Sequence, residues 1–212
     1  MSGKDFELQP WLMVNTKGDK HLLQIAALDG VQTISVNDTP GDTGLYHVQP
    51  KMPEQGPELD AMLGRIWEKG NCGIYIDEGY MIHPANNLNA CLTQGRSRNI
   101  PMIVLSQRPV WISKFVFSEC DYVQLFNLKR RNDRKEATDF VPVDKDYRLA
   151  PHCSYWYNEA TELLVEFGPV PNNAAILDTF RSKFPPEHEP KEVGGVTVYA
   201  PIEKRQMTKR VI

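Results

Sequence analysis

The chain has 212 residues, which is enough for one sizeable domain or for one domain with a tail. Hydrophobic residues make up 41 % and charged residues 24 %, as is ordinary for a globular protein. The formal net charge of -3 excludes an overall basic field as the means of binding nucleic acid, so any such contact must depend on a local basic patch. No apolar run is long enough for a membrane-spanning helix, and the four cysteines contain no CxxC pair that would suggest zinc.

Short strands are predicted in the first 50 residues. Pro10–Val14 reads as a strand that ends in the polar turn Asn15–Asp19, and two further strands are predicted at 31–36 and 44–48. A Pro40-Gly41 turn separates these last two.

The clearest predicted helix follows. Its apolar stripe consists of Leu59, Met62, Leu63, Ile66 and Trp67, spaced at i, i+3, i+4, i+7 and i+8. Pro57 lies near its start and Gly70 just past its end, and these are common start and stop signals of a helix.

Apolar runs then alternate with polar helical ones. Ile74–Ile76, Pro101–Leu105 and Tyr122–Phe126 read as strands, with a helical segment at 86–94 and a charged stretch at 129–136. This alternation predicts an α/β fold with a largely parallel sheet flanked by helices. In such sheets ligands bind beyond the carboxyl ends of the strands.

The remaining third predicts a hairpin and a tail. Cys153–Tyr157 and Leu163–Phe167 flank a polar turn, and from Pro185 the composition shifts to proline, glutamate, lysine and glycine. We therefore predict a core at 1–185 and a C-terminal tail or arm at 186–212.

Polar groups follow three of the predicted strands: Asp77-Glu78, Ser106-Gln107-Arg108 and Asn132-Asp133. In nucleoside triphosphate hydrolysis, an acid at a strand end holds Mg²⁺ and a second carboxylate polarises the attacking water. A polar residue on the neighbouring strand senses the terminal phosphate, and an arginine from another subunit stabilises the transition state.

Each feature has an ordinary explanation when it stands alone. Arg96, Arg98 and the run 129–135 would usually be solvated surface, and an aliphatic strand often ends in Asp-Glu by chance. The order and spacing of all of them together favour the catalytic interpretation.

These residues carry a family resemblance. The runs Gly73–Glu78, Gln94–Pro101 and Val104–Pro109 resemble the FtsK/HerA superfamily of P-loop DNA motors, and within it the phage genome-packaging ATPases most of all. Phe115–Arg134 continues the match, and Lys17-Gly18-Asp19 looks like the lysine-glycine turn that follows the family's second strand. The resemblance extends from about Trp11 to about Phe184.

The resemblance implies a RecA-like P-loop core with a largely parallel sheet flanked by helices, a C-terminal hairpin and an extended tail. It implies that Asp77 orders Mg²⁺, that Glu78 activates water and that Gln107 senses the γ-phosphate. Arg96 is the expected arginine finger acting in trans, with Arg98 as the second choice. The residues expected to bind the nucleotide are Lys4, Asp77 and Ser106.

The same resemblance implies ATP and Mg²⁺ as cofactors and a viral DNA-packaging motor that couples ATP hydrolysis to DNA translocation into a capsid. Its expected partners are DNA, further copies of the chain in a homo-oligomeric ring, and portal or vertex proteins of the capsid. The expected location is the host cytoplasm or the virion vertex. The basic run 129–135 and the C-terminal tail are the segments that could face DNA or the portal.

The chain departs from the family at the phosphate-binding loop, whose backbone N–H groups and lysine cradle the phosphates. Its best match is Ser2-Gly3-Lys4-Asp5, which lacks the upstream glycines and the hydroxyl residue, and no Gly-Lys-Ser/Thr occurs in the 212 residues. Two interpretations stay open: a motor in which this loop is missing or altered, or a relative that keeps the catalytic edge but binds nucleotide weakly.

Three functions other than a packaging motor are compatible with the sequence. One is a nucleotide-weak assembly or structural module of the same fold. Another is a filamentous-phage assembly ATPase, although such enzymes usually carry a membrane-spanning segment. The third is a small α/β protein in which Asp77 and Glu78 bind a divalent ion or cap a helix.

Overall fold

The computed structural model describes residues 9–83 and 85–184, and the backbone of 188–193 and 196–201. The strands are Trp11–Asn15 (β1), Val31–Thr33 (β2), Leu45–Val48 (β3), Gly73–Asp77 (β4), Met102–Val104 (β5), Tyr122–Phe126 (β6), Ser154–Asn158 (β7), Leu163–Phe167 (β8), His188–Val193 (β9) and Val196–Pro201 (β10). The α-helices are Lys20–Ala26 (α1), Gly56–Lys69 (α2), Asn86–Gln94 (α3), Lys114–Ser118 (α4), Arg131–Thr138 (α5) and Asn173–Lys183 (α6). Short 3₁₀ turns occupy Gly79–Met81, Gly95–Arg98 and Pro109–Trp111.

The first five strands form a parallel sheet in the order β2-β3-β1-β4-β5. Asn15 of β1 is level with Asp77 of β4, and Ile76 of β4 is level with Val104 of β5. Because the strands are parallel, their carboxyl ends lie at one edge of the sheet. The predicted α/β fold class is confirmed, and the acids that follow β4 stand between the loops after β1 and β5.

Helices cover both faces of this sheet. The even-numbered residues Leu12, Val14, Ile74 and Ile76 are fully buried against the apolar stripe of α2, which confirms the predicted helix. Trp11 and Met13 point to the other face and pack with α1 and α6. The alternation of side chains along β1 thus supplies both layers of the core.

β6 differs from the prediction. It pairs with β7 in a three-stranded antiparallel sheet of order β6-β7-β8, so it is wrong to place it in the parallel sheet. The predicted hairpin of β7 and β8 is confirmed. Apolar character alone does not identify a strand's partner, and the backbone hydrogen bonds of β6 are taken by the hairpin that follows it in the chain.

β5 is less buried than the apolar run Pro101–Leu105 would indicate for a strand inside a parallel sheet. Ile103 is 41 % exposed and Leu105 is 37 % exposed. Among the described residues, β5 pairs only with β4, and it therefore forms one edge of the parallel sheet.

The predicted tail, 186–212, contains the antiparallel pair β9 and β10, whose register joins Val193 to Val196. The rest of that tail lies outside the described residues, and the boundary at 185 stays a prediction. Within the described part of the chain, no helix is both long enough and apolar enough to cross a membrane.

A buried aspartate joins α2 to α3. The Asp60 side chain is 4 % exposed and accepts hydrogen bonds from the backbone N–H groups of Asn87 (3.0 Å) and Leu88 (3.1 Å). Ala85, which precedes α3, has no side-chain acceptor for these groups. Asp60 therefore caps α3 from a neighbouring helix, and its negative charge lies at the positive end of the α3 dipole.

We expect Asp60→Ala to lower the free energy of unfolding by about 1–3 kcal/mol, because buried N–H groups of α3 would lose their acceptor. Chemical denaturation monitored by circular dichroism measures this change. Glu68→Ala, at an exposed position of α2, is the matched control. Equal stability of the two variants would contradict the capping role.

Candidate active site

Asp77 ends β4 with its carboxylate available. The hydroxyl of Thr16 donates to the Asp77 carbonyl oxygen at 2.5 Å, which joins the loop after β1 to the end of β4. The half-buried carboxylate accepts no hydrogen bond from the described residues. Burial raises the pKa of Asp77, and the charges of Glu78 and Asp19 add to this, while Lys17 opposes them. A bound cation would favour the ionised carboxylate at this position.

Glu78 is held in a sharply turned backbone. It adopts left-handed dihedral angles of φ 55 and ψ 62, and it is 1 % exposed. One carboxylate oxygen, Oε2, accepts the backbone N–H of Gln107 at 3.1 Å. The other, Oε1, accepts from the Nζ of Lys17. The loops after β1 and β5 therefore hold the two oxygens of one buried carboxylate.

On sequence alone, Lys17 belongs to a turn that resembles the family's lysine-glycine turn, and no role is predicted for it. The pKa of its ammonium is raised, since partial burial lowers it but the hydrogen bond and charge of Glu78 outweigh that effect. The signal in the sequence was the position of Lys17 in the polar turn that follows the predicted strand Pro10–Val14.

The residues after β5 fall at the same edge. The side chain of Gln107 is exposed and makes no hydrogen bond with any described residue. The Ser106 hydroxyl accepts the N–H of Arg108 at 2.9 Å, which closes the turn that brings the Gln107 amide to Glu78. Ser106 thus shapes the turn, and the Gln107 side chain is left pointing out of it.

The two candidate arginines have different environments. The Arg98 guanidinium lies 3.8 Å from the centre of the Trp67 ring, and its Nη1 donates to the carbonyl oxygens of Trp67 (3.1 Å) and Glu68 (3.3 Å). These contacts hold it at the carboxyl end of α2. The Arg96 side chain is 83 % exposed and pairs with the exposed Asp121. Arg96 is therefore the one of the two that remains available at the surface.

Asp133, from the third predicted group of polar residues, makes structural contacts beside the site. Asp133 is 2 % exposed and accepts from Arg108 Nε at 3.0 Å, and the Arg108 guanidinium lies 4.0 Å from the centre of the Trp111 ring. Arg134 donates to the carbonyl oxygens of Leu128, Lys129 and Lys145. Asp133 therefore reaches the predicted edge although β6 belongs to another sheet. Asp133 is thus paired with an arginine. The contacts of Arg134 show that part of the charged run 129–135 has a structural role.

The remaining predicted residue, Lys4, lies outside the described residues. Within them, no cluster of three or more histidine, cysteine, aspartate or glutamate side chains could by itself hold a metal ion. Mg²⁺ commonly keeps several waters and binds through one or two carboxylates and the phosphates of its substrate. One unpartnered carboxylate beside a buried one fits Mg²⁺ bound together with a nucleotide.

The sequence is similar to that of one protein of known identity. The chain is 38 % identical over 193 residues to the DNA packaging ATPase P9 of Enterobacteria phage PRD1, and the match covers 85 % of this chain and 83 % of that protein. No model of a protein family matches the sequence.

Solved structures support the fold. The genome packaging NTPase B204 of Sulfolobus turreted icosahedral virus 2, in complex with AMPPCP, has a TM-score of 0.53 at 11 % identity, covering 77 % of this chain and 98 % of that one. Its complex with ATP-gammaS has a TM-score of 0.52 at 13 % identity, covering 81 % and 100 %. The parallel sheet that contains β4 and β5 thus belongs to a known NTPase fold. The extent of identity to P9 shows that the chain belongs to the family of phage DNA packaging ATPases.

Proposed function

We propose that this chain is a phage DNA-packaging motor ATPase that couples ATP hydrolysis to the translocation of DNA into a capsid. The observation that carries the proposal is the pair of acids at the end of β4. The Asp77 carboxylate accepts no hydrogen bond from the described residues, and it lies beside a buried Glu78 carboxylate that is held from both sides. The 38 % identity to a packaging ATPase supports the reaction and its setting.

In this proposal Asp77 holds Mg²⁺ at the carboxyl edge of the sheet. Mg²⁺ held there would supply positive charge to offset the negative charge of the phosphates. Glu78, one residue on, accepts a proton from the attacking water as general base. The exposed side chain of Gln107 reaches toward the γ-phosphate, and Lys4 and Ser106 contribute to nucleotide binding.

Arg96 is the proposed arginine finger in trans. The Arg96–Asp121 pair is exposed, and such a surface pair contributes little stability. The Arg96 guanidinium can therefore leave Asp121 and bind a phosphate of the nucleotide in the neighbouring subunit. This role requires a homo-oligomeric ring, which would surround DNA and dock on a portal or vertex protein of the capsid, within the host cell or at the virion vertex. The exposed side chains of Lys129, Arg130, Arg131 and Lys135 form a local basic patch suited to DNA phosphates.

A second candidate function is an assembly module of the same fold that binds nucleotide weakly. The observation that favours it is the absence of a Gly-Lys-Ser/Thr sequence from the 212 residues. The two functions differ in nucleotide affinity, because a motor must bind the phosphates of ATP tightly and a structural module need not.

Binding of fluorescent ATP to the purified chain, with and without Mg²⁺, tests the proposal. We expect Mg²⁺-dependent binding by the parent and its loss in Asp77→Asn, since an amide removes the charge that attracts the cation. Asp42→Asn changes an exposed aspartate and is the matched control.

Equal Mg²⁺-dependent affinity of the parent and Asp77→Asn would contradict the role of Asp77. Failure of a well-folded parent to bind would favour the assembly module. Circular dichroism of each protein establishes the folding on which that comparison depends.

A further inference from the structure

The buried Glu78 carboxylate depends on two donors from opposite sides. At 1 % exposure it has lost almost all contact with water, so a charged form there must be paired and hydrogen bonded. The backbone N–H of Gln107 donates from the β5 side, and Lys17 donates from the β1 side. Of these two, only Lys17 brings a full positive charge.

The turn that presents Lys17 is held at several points. The Thr16 hydroxyl donates to the Asp77 carbonyl oxygen at 2.5 Å, and Asn15 Oδ1 accepts the N–H of Asp19 at 2.7 Å. Asp19 in turn caps α1 through the N–H groups of its first turn. These hydrogen bonds join the turn both to β4 and to α1, and they fix the position from which Lys17 contacts Glu78.

Gly18 allows the turn to close. Its φ is +70, and a Cβ at this position would lie 2.7 Å from Gln49 Nε2. The residue after Lys17 therefore has both the backbone conformation and the close approach that suit glycine. The chain reverses directly after Lys17, and the lysine side chain remains at the edge of the sheet.

We propose that Lys17 is a positioning residue for Glu78, whose carboxylate it holds oriented toward the attacking water. This inference rests on the proposed hydrolysis of ATP and adds a residue to it. Two of the roughly four lone pairs of the carboxylate are used by Lys17 and Gln107, which leaves others for water. The Lys17 side chain is 37 % exposed, so the pair opens toward the edge at which a nucleotide would bind.

Steady-state hydrolysis of Mg·ATP by Lys17→Met and Lys17→Arg tests the role. We expect Lys17→Met to lower kcat about tenfold or more and to change KM less than about twofold. The loss in kcat is part of the roughly 10²–10⁴-fold that general-base catalysis contributes. Lys17→Arg should recover most of the loss, because it restores a cation within reach of Glu78. Lys20→Met is the matched control, since Lys20 is exposed at the start of α1 and forms no ion pair with the described residues.

A double-mutant cycle separates action through Glu78 from a general effect. In a Glu78→Gln background, we expect Lys17→Met to change the residual rate less than about twofold, since the group it positions is gone. Thermal unfolding of each variant verifies folding. Should Lys17→Met fail to fold, Lys17→Gln keeps a donor without the charge and takes its place.

Three results would overturn the positioning role: an unchanged kcat in folded Lys17→Met, a loss that appears in KM alone, or an equal loss in the Glu78→Gln background. The second result would mean that Lys17 contacts the nucleotide itself. A folded parent chain that hydrolyses no ATP would instead contradict the proposed function, and with it this role.

Discussion

Glu78→Gln is expected to lower kcat for ATP hydrolysis by about 10²–10⁴-fold, the range that a positioned general base contributes. Glutamine has nearly the same size and can still accept the Gln107 N–H, but its amide cannot take the proton of the attacking water. Phosphate release under saturating Mg·ATP measures the change.

Nucleotide binding distinguishes loss of the base from loss of the site. Asp77 is intact in Glu78→Gln, so we expect Mg²⁺-dependent ATP affinity within about threefold of the parent. Glu58→Gln, which alters an exposed glutamate of α2, is the matched control for the rate. A Glu78→Gln variant that hydrolyses ATP at the parent rate would assign the base to another residue.

Arg96→Ala is expected to lower kcat by about 10³–10⁵-fold, the contribution measured for arginine fingers, while ATP binding is retained. The physical reason is that a guanidinium neutralises charge that develops only in the transition state. Asp121→Asn is the control. It removes the surface partner of Arg96, and it should leave the rate within about twofold of the parent if the pair is only a resting contact.

Mixing inactive variants tests whether Arg96 acts across a subunit interface. A subunit with Arg96→Ala keeps Glu78, and a subunit with Glu78→Gln keeps Arg96, so an interface between them can contain both groups. We expect the mixture to recover hydrolysis that neither variant has alone. Absence of recovery in mixed oligomers, verified by native mass spectrometry, would place the action of Arg96 within its own subunit.

The contrast between Arg96 and Arg98 could not be drawn from the sequence. Both lie in the same run of four residues, Gly95–Arg98, and neither pattern nor spacing separates them. The contacts of Arg98 with Trp67 and Glu68 arise from residues about 30 positions earlier in the chain. Only the packing of α2 beside this turn decides which of the two arginines stays exposed.

The sequence by itself located the polar residues at the carboxyl edge of the sheet. Ile74–Ile76 and Pro101–Leu105 are apolar runs of strand length, and each is followed by polar residues, so Asp77, Glu78 and Gln107 could be located before the fold was known. The α2 helix was equally accessible, because its apolar stripe repeats with the period of a helix. These features depend on neighbouring residues in the chain.

Only the tertiary structure decided which distant groups meet there. Lys17 and Glu78 are 61 residues apart, and they pair because β1 and β4 are neighbours in the sheet. The same holds for β6, which the sequence places among the strands of the parallel sheet but which pairs antiparallel with β7. Strand order and pairing are set by packing and hydrogen bonds between distant segments, and the periodicity of any one segment does not encode them.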